Sequence, residues 1–117
     1  YYKKSMALYE LVFIVRQEVS PIRAKELAKK INDFVKSKGG DVKKEEYWGF
    51  RSLAYEIKKN KKGHYLFFVI NSSASCMLEL SNQIKLTEEI IRHVILRIKE
   101  KQYFKEPTEM ITDENND

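Results

Sequence analysis

The sequence is poor in the residues that carry covalent cross-linking and catalysis. It holds one cysteine, Cys76, in 117 residues. One thiol cannot close an internal disulfide, and no C-x-x-C spacing exists, so neither a disulfide-stapled secreted scaffold nor a zinc ribbon is indicated. A reduced, cytoplasmic compartment fits. There are two histidines, His64 and His93. With Cys76 they are the only candidates for a nucleophile or base near neutral pH, and their spacing matches no nucleophilic or metal-binding pattern. No enzyme, metal or cofactor is therefore expected. No apolar run approaches the ~18 residues of a membrane span, and the start lacks the apolar stretch of a signal peptide. Tyr1–Ser5 precede Met6, which reads as a natural start; these five residues are expected to be an upstream extension and are set aside.

Acids are also scarce in most of the chain. The formal charge is +5. The last stretch, Lys105 to Asp117, contains Glu106, Glu109, Asp113, Glu114 and Asp117 against one base, so residues 1–104 carry about +9. A domain that basic, with acids shed into a tail, is suited to a polyanionic partner; the plainer reading is solubility.

Six elements are predicted between Met6 and Lys99. Leu8–Val15 is a strand, apolar on both faces apart from Glu10, hence central in its sheet. Ser20-Pro21 opens a helix whose apolar stripe is Ala24, Leu27, Ala28, Ile31, Phe34 and Val35 and which Gly39-Gly40 ends. Asp41–Ile57 is a long strand in which Leu53, Tyr55 and Ile57 have the opposite parity to Trp48 and Phe50, so either its halves use different faces or a bulge near Gly49 shifts its register. Lys58–Gly63 is a charged hairpin turn, and Tyr65–Ile70 a second central strand. Ser72–Ser75 can cap a second helix that buries Ala74, Met77, Leu78, Leu80 and Ile84; Ile90–Lys99 is the last strand. Residues 102–117 read as a flexible acidic tail. The order βαββαβ closes into a ferredoxin-like fold over residues 6–101, a four-stranded antiparallel sheet with both helices on one face. That fold does not by itself decide a function.

The informative segment is Trp48-Gly49-Phe50-Arg51-Ser52-Leu53-Ala54-Tyr55-Glu56-Ile57-Lys58-Lys59, followed by Gly63-His64-Tyr65. It resembles the signature of the bacterial-type small-subunit ribosomal protein S-six family. Tyr9-Glu10, Gly39-Gly40 with Val42, and Ile90–Arg92 with Arg97 and Lys99 match that family's flanking positions. The resemblance spans about Met6 to Lys101. It implies a structural constituent of the small ribosomal subunit that binds the central domain of small-subunit ribosomal RNA together with ribosomal protein S-eighteen. It departs from the family at Leu8 and Phe50, where relatives often hold a base, and at Glu56, where proline is common. The tail lacks a terminal Glu-Glu, so glutamylation is not supported.

The residues give that role a physical form. Arg51, Lys58 and Lys59 are expected along the second strand and its turn, and Arg92, Arg97 and Lys99 along the fourth, as phosphate contacts. Trp48 and Phe50 are candidates to stack on unpaired bases, with a core or interface anchor as the other reading of Trp48. Val12, Ile14, Phe68 and Ile70 are expected on the sheet face away from the helices, where a protein partner would cover them. The free chain is expected to be a monomer.

Two other readings share the fold. An RNA-recognition motif would place its signature on the third strand, but Lys62-Gly63-His64-Tyr65-Leu66-Phe67-Phe68-Val69 matches little beyond the opening Lys-Gly. A small-molecule regulatory domain needs glycines at its strand–helix turns, and Ser20-Pro21 and Ser72–Ser75 offer none.

Overall fold

A computed structural model describes residues 5–99. The elements are β1 (Ala7–Arg16), α1 (Pro21–Ser37), β2 (Asp41–Ile57), β3 (Asn60–Ser72), α2 (Ala74–Lys85) and β4 (Ile90–Ile98). The predicted acidic tail, residues 102–117, lies outside the described residues, as does the upstream extension apart from Ser5.

Each helix starts where the sequence supplies a cap. The Ser20 side chain accepts a hydrogen bond from the Arg23 amide at 3.1 Å, and Ser73 accepts one from the Cys76 amide at 3.2 Å. The stripe of α1 is buried at Ala24, Leu27, Ala28, Ile31 and Val35. In α2 the buried residues are Cys76, Met77, Leu80 and Ile84. Leu78, expected inside, is 66 % exposed, because it falls off the stripe that Met77, Leu80 and Ile84 define at i, i+3 and i+7. A fork of hydrogen bonds from Arg23 to Glu89, at 2.8 and 2.9 Å, ties the start of α1 to the loop before β4.

The sheet is antiparallel in the order β2-β3-β1-β4, so the two strands that are apolar at both parities are central, as expected. Leu11 stands opposite Phe68 and Val12 opposite Phe67. Leu11, Phe13, Val15, Leu66, Phe68 and Ile70 join both helices in one core. Val12, Ile14, Trp48, Tyr65, Phe67, Val69 and Ile91 form a second cluster on the other face. This is the ferredoxin-like fold.

The register corrects one expectation. Val12 and Ile14 do face away from the helices, but Phe68 and Ile70 belong to the helix-side core. Every residue of Tyr65–Ile70 is apolar, so composition could not set the parity; only pairing with β1 could. The second cluster is also buried by the chain itself: Val12, Ile14, Phe67 and Val69 are each no more than 5 % exposed.

The β2–β3 hairpin is tighter than predicted. Its turn is Lys58-Lys59, both in the left-handed region (φ 47° and 67°), as a two-residue hairpin matching the strand twist requires. β3 begins at Asn60, inside the stretch expected to be turn. The buried Asn60 amide explains this: it accepts from the Gln17 amide (3.0 Å) and donates to the Lys58 (3.0 Å) and Ile57 (3.3 Å) carbonyls.

Candidate nucleic-acid interface

Of the two readings of β2, the bulge near Gly49 is the one present. Tyr47 pairs with Leu66 and Gly49 with Tyr65, leaving Trp48 as the extra residue, and Gly49 has φ +100°. Trp48 therefore turns to the face away from the helices, and past the bulge the odd-numbered residues take over that face. This reconciles the two parities of β2: Trp48 before the bulge and Leu53 and Ile57 after it serve the same cluster.

A second irregularity follows. Ser52 pairs with Lys62 and Ile57 with Asn60, so Leu53–Glu56 stand opposite Lys61 alone. The hairpin curls over the face away from the helices, where Leu53 and Ile57 pack. The Tyr55 hydroxyl accepts a hydrogen bond from Arg92 of β4, at the opposite edge of the sheet. A small cleft between them is lined by Ile14, Leu53, Tyr55, Tyr65 and Arg92.

The proposed cations divide between two faces. Arg51 lies at the β2 edge opposite Gly63, its Nε donating to the Trp48 carbonyl at 2.8 Å. Arg92 is opposite Ile14, on the face away from the helices. Arg97 is opposite Tyr9, a helix-side residue, so it is exposed on the other face and does not join Arg92. Lys99 is exposed just beyond the end of β4. Lys58 and Lys59 are exposed at the hairpin tip, with Lys61 and Lys62 just behind them.

Seven of the described carboxylates are committed to ion pairs. Glu18 pairs with Arg16, Glu26 and Glu89 with Arg23, Asp33 with Lys29, Asp41 with Lys43, Glu46 with Lys44 and Glu79 with Lys38. Among the described residues, Arg51, Lys58, Lys59, Lys61 and Lys62 form no ion pair. With Glu56 the one acid among them, the hairpin residues 51–62 thus carry a net positive charge held in no ion pair.

Trp48 is an anchor and not a free stacking surface. It is 9 % exposed, stacks on Phe67 with ring centroids 4.8 Å apart, and donates from Nε1 to Glu46 at 3.0 Å. Phe50, two residues on, is 49 % exposed on the helix side of the hairpin. The sequence showed both aromatics beside Arg51 but not which one the bulge would bury. Tyr55 and Leu96, 53 % and 44 % exposed at the rim of the second cluster's face, were not singled out by the sequence either.

The residues with nucleophile or base chemistry are dispersed. Cys76 is buried in α2. His93 of β4 meets the Ser81 hydroxyl at 2.9 Å, and burial, with Lys85 adding to it, pushes its pKa down. His64 of β3 is buried; its Nε2 donates to the Val19 carbonyl, which leaves Nδ1 to accept from the Tyr47 hydroxyl at 2.8 Å. Among the described residues no three His, Cys, Asp or Glu side chains converge to hold a metal ion, and no helix is long and apolar enough to cross a membrane. The cleft between α1 and α2, lined by Leu27, Phe34, Leu80 and Ile84, has a volume of only about 100 Å³, well short of the roughly 300 Å³ at which small-molecule pockets begin.

The family model for Ribosomal protein S6 matches residues 8–97. The small ribosomal subunit protein bS6 of Bartonella bacilliformis is 38 % identical over 112 residues, spanning 96 % of this chain and 81 % of the relative. That of Maricaulis maris is 41 % identical over 107 residues, spanning 92 % and 90 %. The crystal structure of the 30S ribosomal protein S6 of Thermotoga maritima superposes with a TM-score of 0.76 at 26 % identity, covering 96 % of this chain and 97 % of that one. With the signature along β2, the bulge that orients it and the ferredoxin-like topology all in place, the chain belongs to the S-six family of small-subunit ribosomal proteins.

Proposed function

We propose that this chain is a cytoplasmic structural constituent of the small ribosomal subunit and binds the central domain of small-subunit ribosomal RNA together with ribosomal protein S-eighteen. The observation that carries the RNA part is the β2–β3 hairpin, where Arg51, Lys58 and Lys59 stand without an internal carboxylate. Uncommitted cations beside a polyphosphate release condensed counterions, and this entropy gain supplies affinity that falls with salt. Arg51 is held ready by the Trp48 carbonyl, and Trp48 by Phe67, so the guanidinium is positioned before RNA arrives. Arg92 extends the same surface across the sheet through Tyr55. Lys99, exposed past the end of β4 away from the hairpin, and Arg97, which faces the other way, are not part of it.

The partner reading changes in detail. Val12 and Ile14 are already covered within the chain, so S-eighteen is not needed to bury them. The apolar surface left for it on that face is the rim around them, Tyr55 and Leu96. The free chain is proposed to be a monomer.

A titration tests both parts: a central-domain ribosomal RNA fragment with and without S-eighteen, over a range of salt. Binding is expected to be weak alone, tighter with the partner and steeply salt-dependent. Arg51→Ala should reduce the slope of log affinity against log salt by about 0.7–0.9, the value for one phosphate contact. Leu96→Asp should remove the gain from S-eighteen. A salt-independent affinity, or no RNA binding with the partner present, would refute the proposal.

A further inference from the structure

We infer that Phe50 is a stacking platform for an unpaired RNA base, on the helix side of the β2–β3 hairpin, with Lys62 placed to meet the adjoining phosphate. The inference rests on the RNA-binding reading above and adds a site on the opposite face from Arg51. Phe50 is the outer member of a row of three rings. Its centroid is 5.0 Å from His64, which is 6.0 Å from Tyr47. The middle ring is fixed: His64 is 2 % exposed and bonded at both nitrogens, to Tyr47 and to Val19. Phe50 therefore rests on an immobile neighbour, while half of its own surface faces water.

Cations mark the row. Lys62 Nζ lies over the Phe50 ring, 5.9 Å from its centroid, where a stacking base would displace it toward the adjoining phosphate, and Lys25 Nζ of α1 lies over the Tyr47 ring at 5.6 Å. Neither lysine has an ion-pair partner among the described residues. An exposed aromatic face beside uncompensated lysines is what a single-stranded nucleic acid needs: every base offers a π-face to the ring, and every linkage offers a phosphate to the cations. The tip lysines Lys58 and Lys59 continue the same hairpin, so a strand leaving Phe50 past Lys62 meets further positive charge. A protein contact is the weaker fit, because a protein hot spot sits within a water-excluding rim, whereas this ring is flanked by the charged Lys62 and a histidine already committed within the chain.

The probe is a labelled single-stranded adenylate 12-mer, read by fluorescence anisotropy with the full chain at low salt and again at several higher salt concentrations. A second 12-mer carries abasic sites at its central positions. The intact oligomer should bind about 5- to 150-fold more tightly than the abasic one, the range for one base stacked on an aromatic ring. Phe50→Leu, which keeps an apolar side chain but removes the ring, should abolish that difference and leave the salt slope unchanged. Phe50→Tyr should retain it. Lys62→Ala should lower the slope by about 0.7, as for one single-strand phosphate contact. Equal binding of both oligomers by the wild-type chain, or no effect of Phe50→Leu, overturns the platform while leaving RNA binding intact. Loss of S-eighteen association in Phe50→Leu with unchanged RNA affinity assigns the ring to protein and also overturns it. No binding of either oligomer overturns the platform, and if the central-domain fragment with S-eighteen fails as well, the RNA-binding reading falls with it.

Discussion

Gly63→Ala should destabilise the protein by about 2–3 kcal/mol through overpacking alone. A Cβ at this position would lie 2.5 Å from Ile14 Cγ2 and 2.9 Å from the Val15 carbonyl oxygen. Ile14 is buried in the second cluster, and the Val15 oxygen belongs to the backbone of the central β1–β3 pair, so neither can yield cheaply. Inserting a methyl into a packed interior usually costs about 1–3 kcal/mol; a backbone contact this close places Gly63 at the top of that range. Alanine's smaller unfolded-state entropy offsets about 0.4–1 kcal/mol. For a fold of this size the net loss, about 1–2.6 kcal/mol, corresponds to a fall in Tm of roughly 5–12 °C. The assay is urea unfolding followed by Trp48 fluorescence, with an unchanged m-value showing that the two-state transition persists. Removing the obstacle gives the sharper test. Ile14→Ala takes away Cγ2, so the double variant Ile14→Ala, Gly63→Ala should be more stable than the sum of the single effects by about 1 kcal/mol. Strict additivity, or a loss below about 0.5 kcal/mol for Gly63→Ala, would refute the reasoning, since the methyl would then have been accommodated without strain.

Replacing the turn lysines, Lys58→Asn with Lys59→Gly, should raise stability by about 1 kcal/mol, because each left-handed L-residue costs about 1–2 kcal/mol and glycine's chain entropy returns only part of that. The same variant should bind the ribosomal RNA fragment with a salt slope lower by about 1.4–1.8, two phosphate contacts' worth; a change in neither stability nor slope would show that the turn is neither strained nor engaged. Acid should act on the fold in two stages. Burial lowers the His93 pKa from its ordinary 6.5, so its stabilisation is full above that value and is lost as pH falls below it. The hydrogen-bonded Arg23 guanidinium lowers the Glu89 pKa from its ordinary 4.5, so the stability from that pair is lost as pH falls below 4.5. Urea midpoints measured against pH should lose their slope just below pH 6.5 in His93→Gln and below pH 4.5 in Glu89→Gln; if both variants track the wild type, neither group is linked to folding.

Much of the architecture was legible because it follows from local chemistry. Ser20-Pro21 and the i, i+3, i+4 stripe place α1, and Ser73 within the polar cluster starts α2. The mixed parity around Gly49 narrowed β2 to a bulge or a switch of faces, and pairing with β3 settled it as the bulge. The hairpin misled because its lysines are polar by composition, while the turn is set by the bonds that the buried Asn60 makes to Gln17, Ile57 and Lys58. Leu78 misled because hydrophobicity alone does not place a residue on the buried stripe.

The sequence by itself determined the element order, the fold, the family and the stock of basic residues, since periodicity, caps and a contiguous motif are properties of neighbours along the chain. Only the tertiary structure decided which face each of them serves. A strand turns over with every residue, and in segments apolar at both parities, such as Tyr65–Ile70, nothing local chooses between the two sides. Long-range pairing makes that choice: it sent Phe68 and Ile70 to the helices, buried Trp48, left Phe50 in water and parted Arg97 from Arg92.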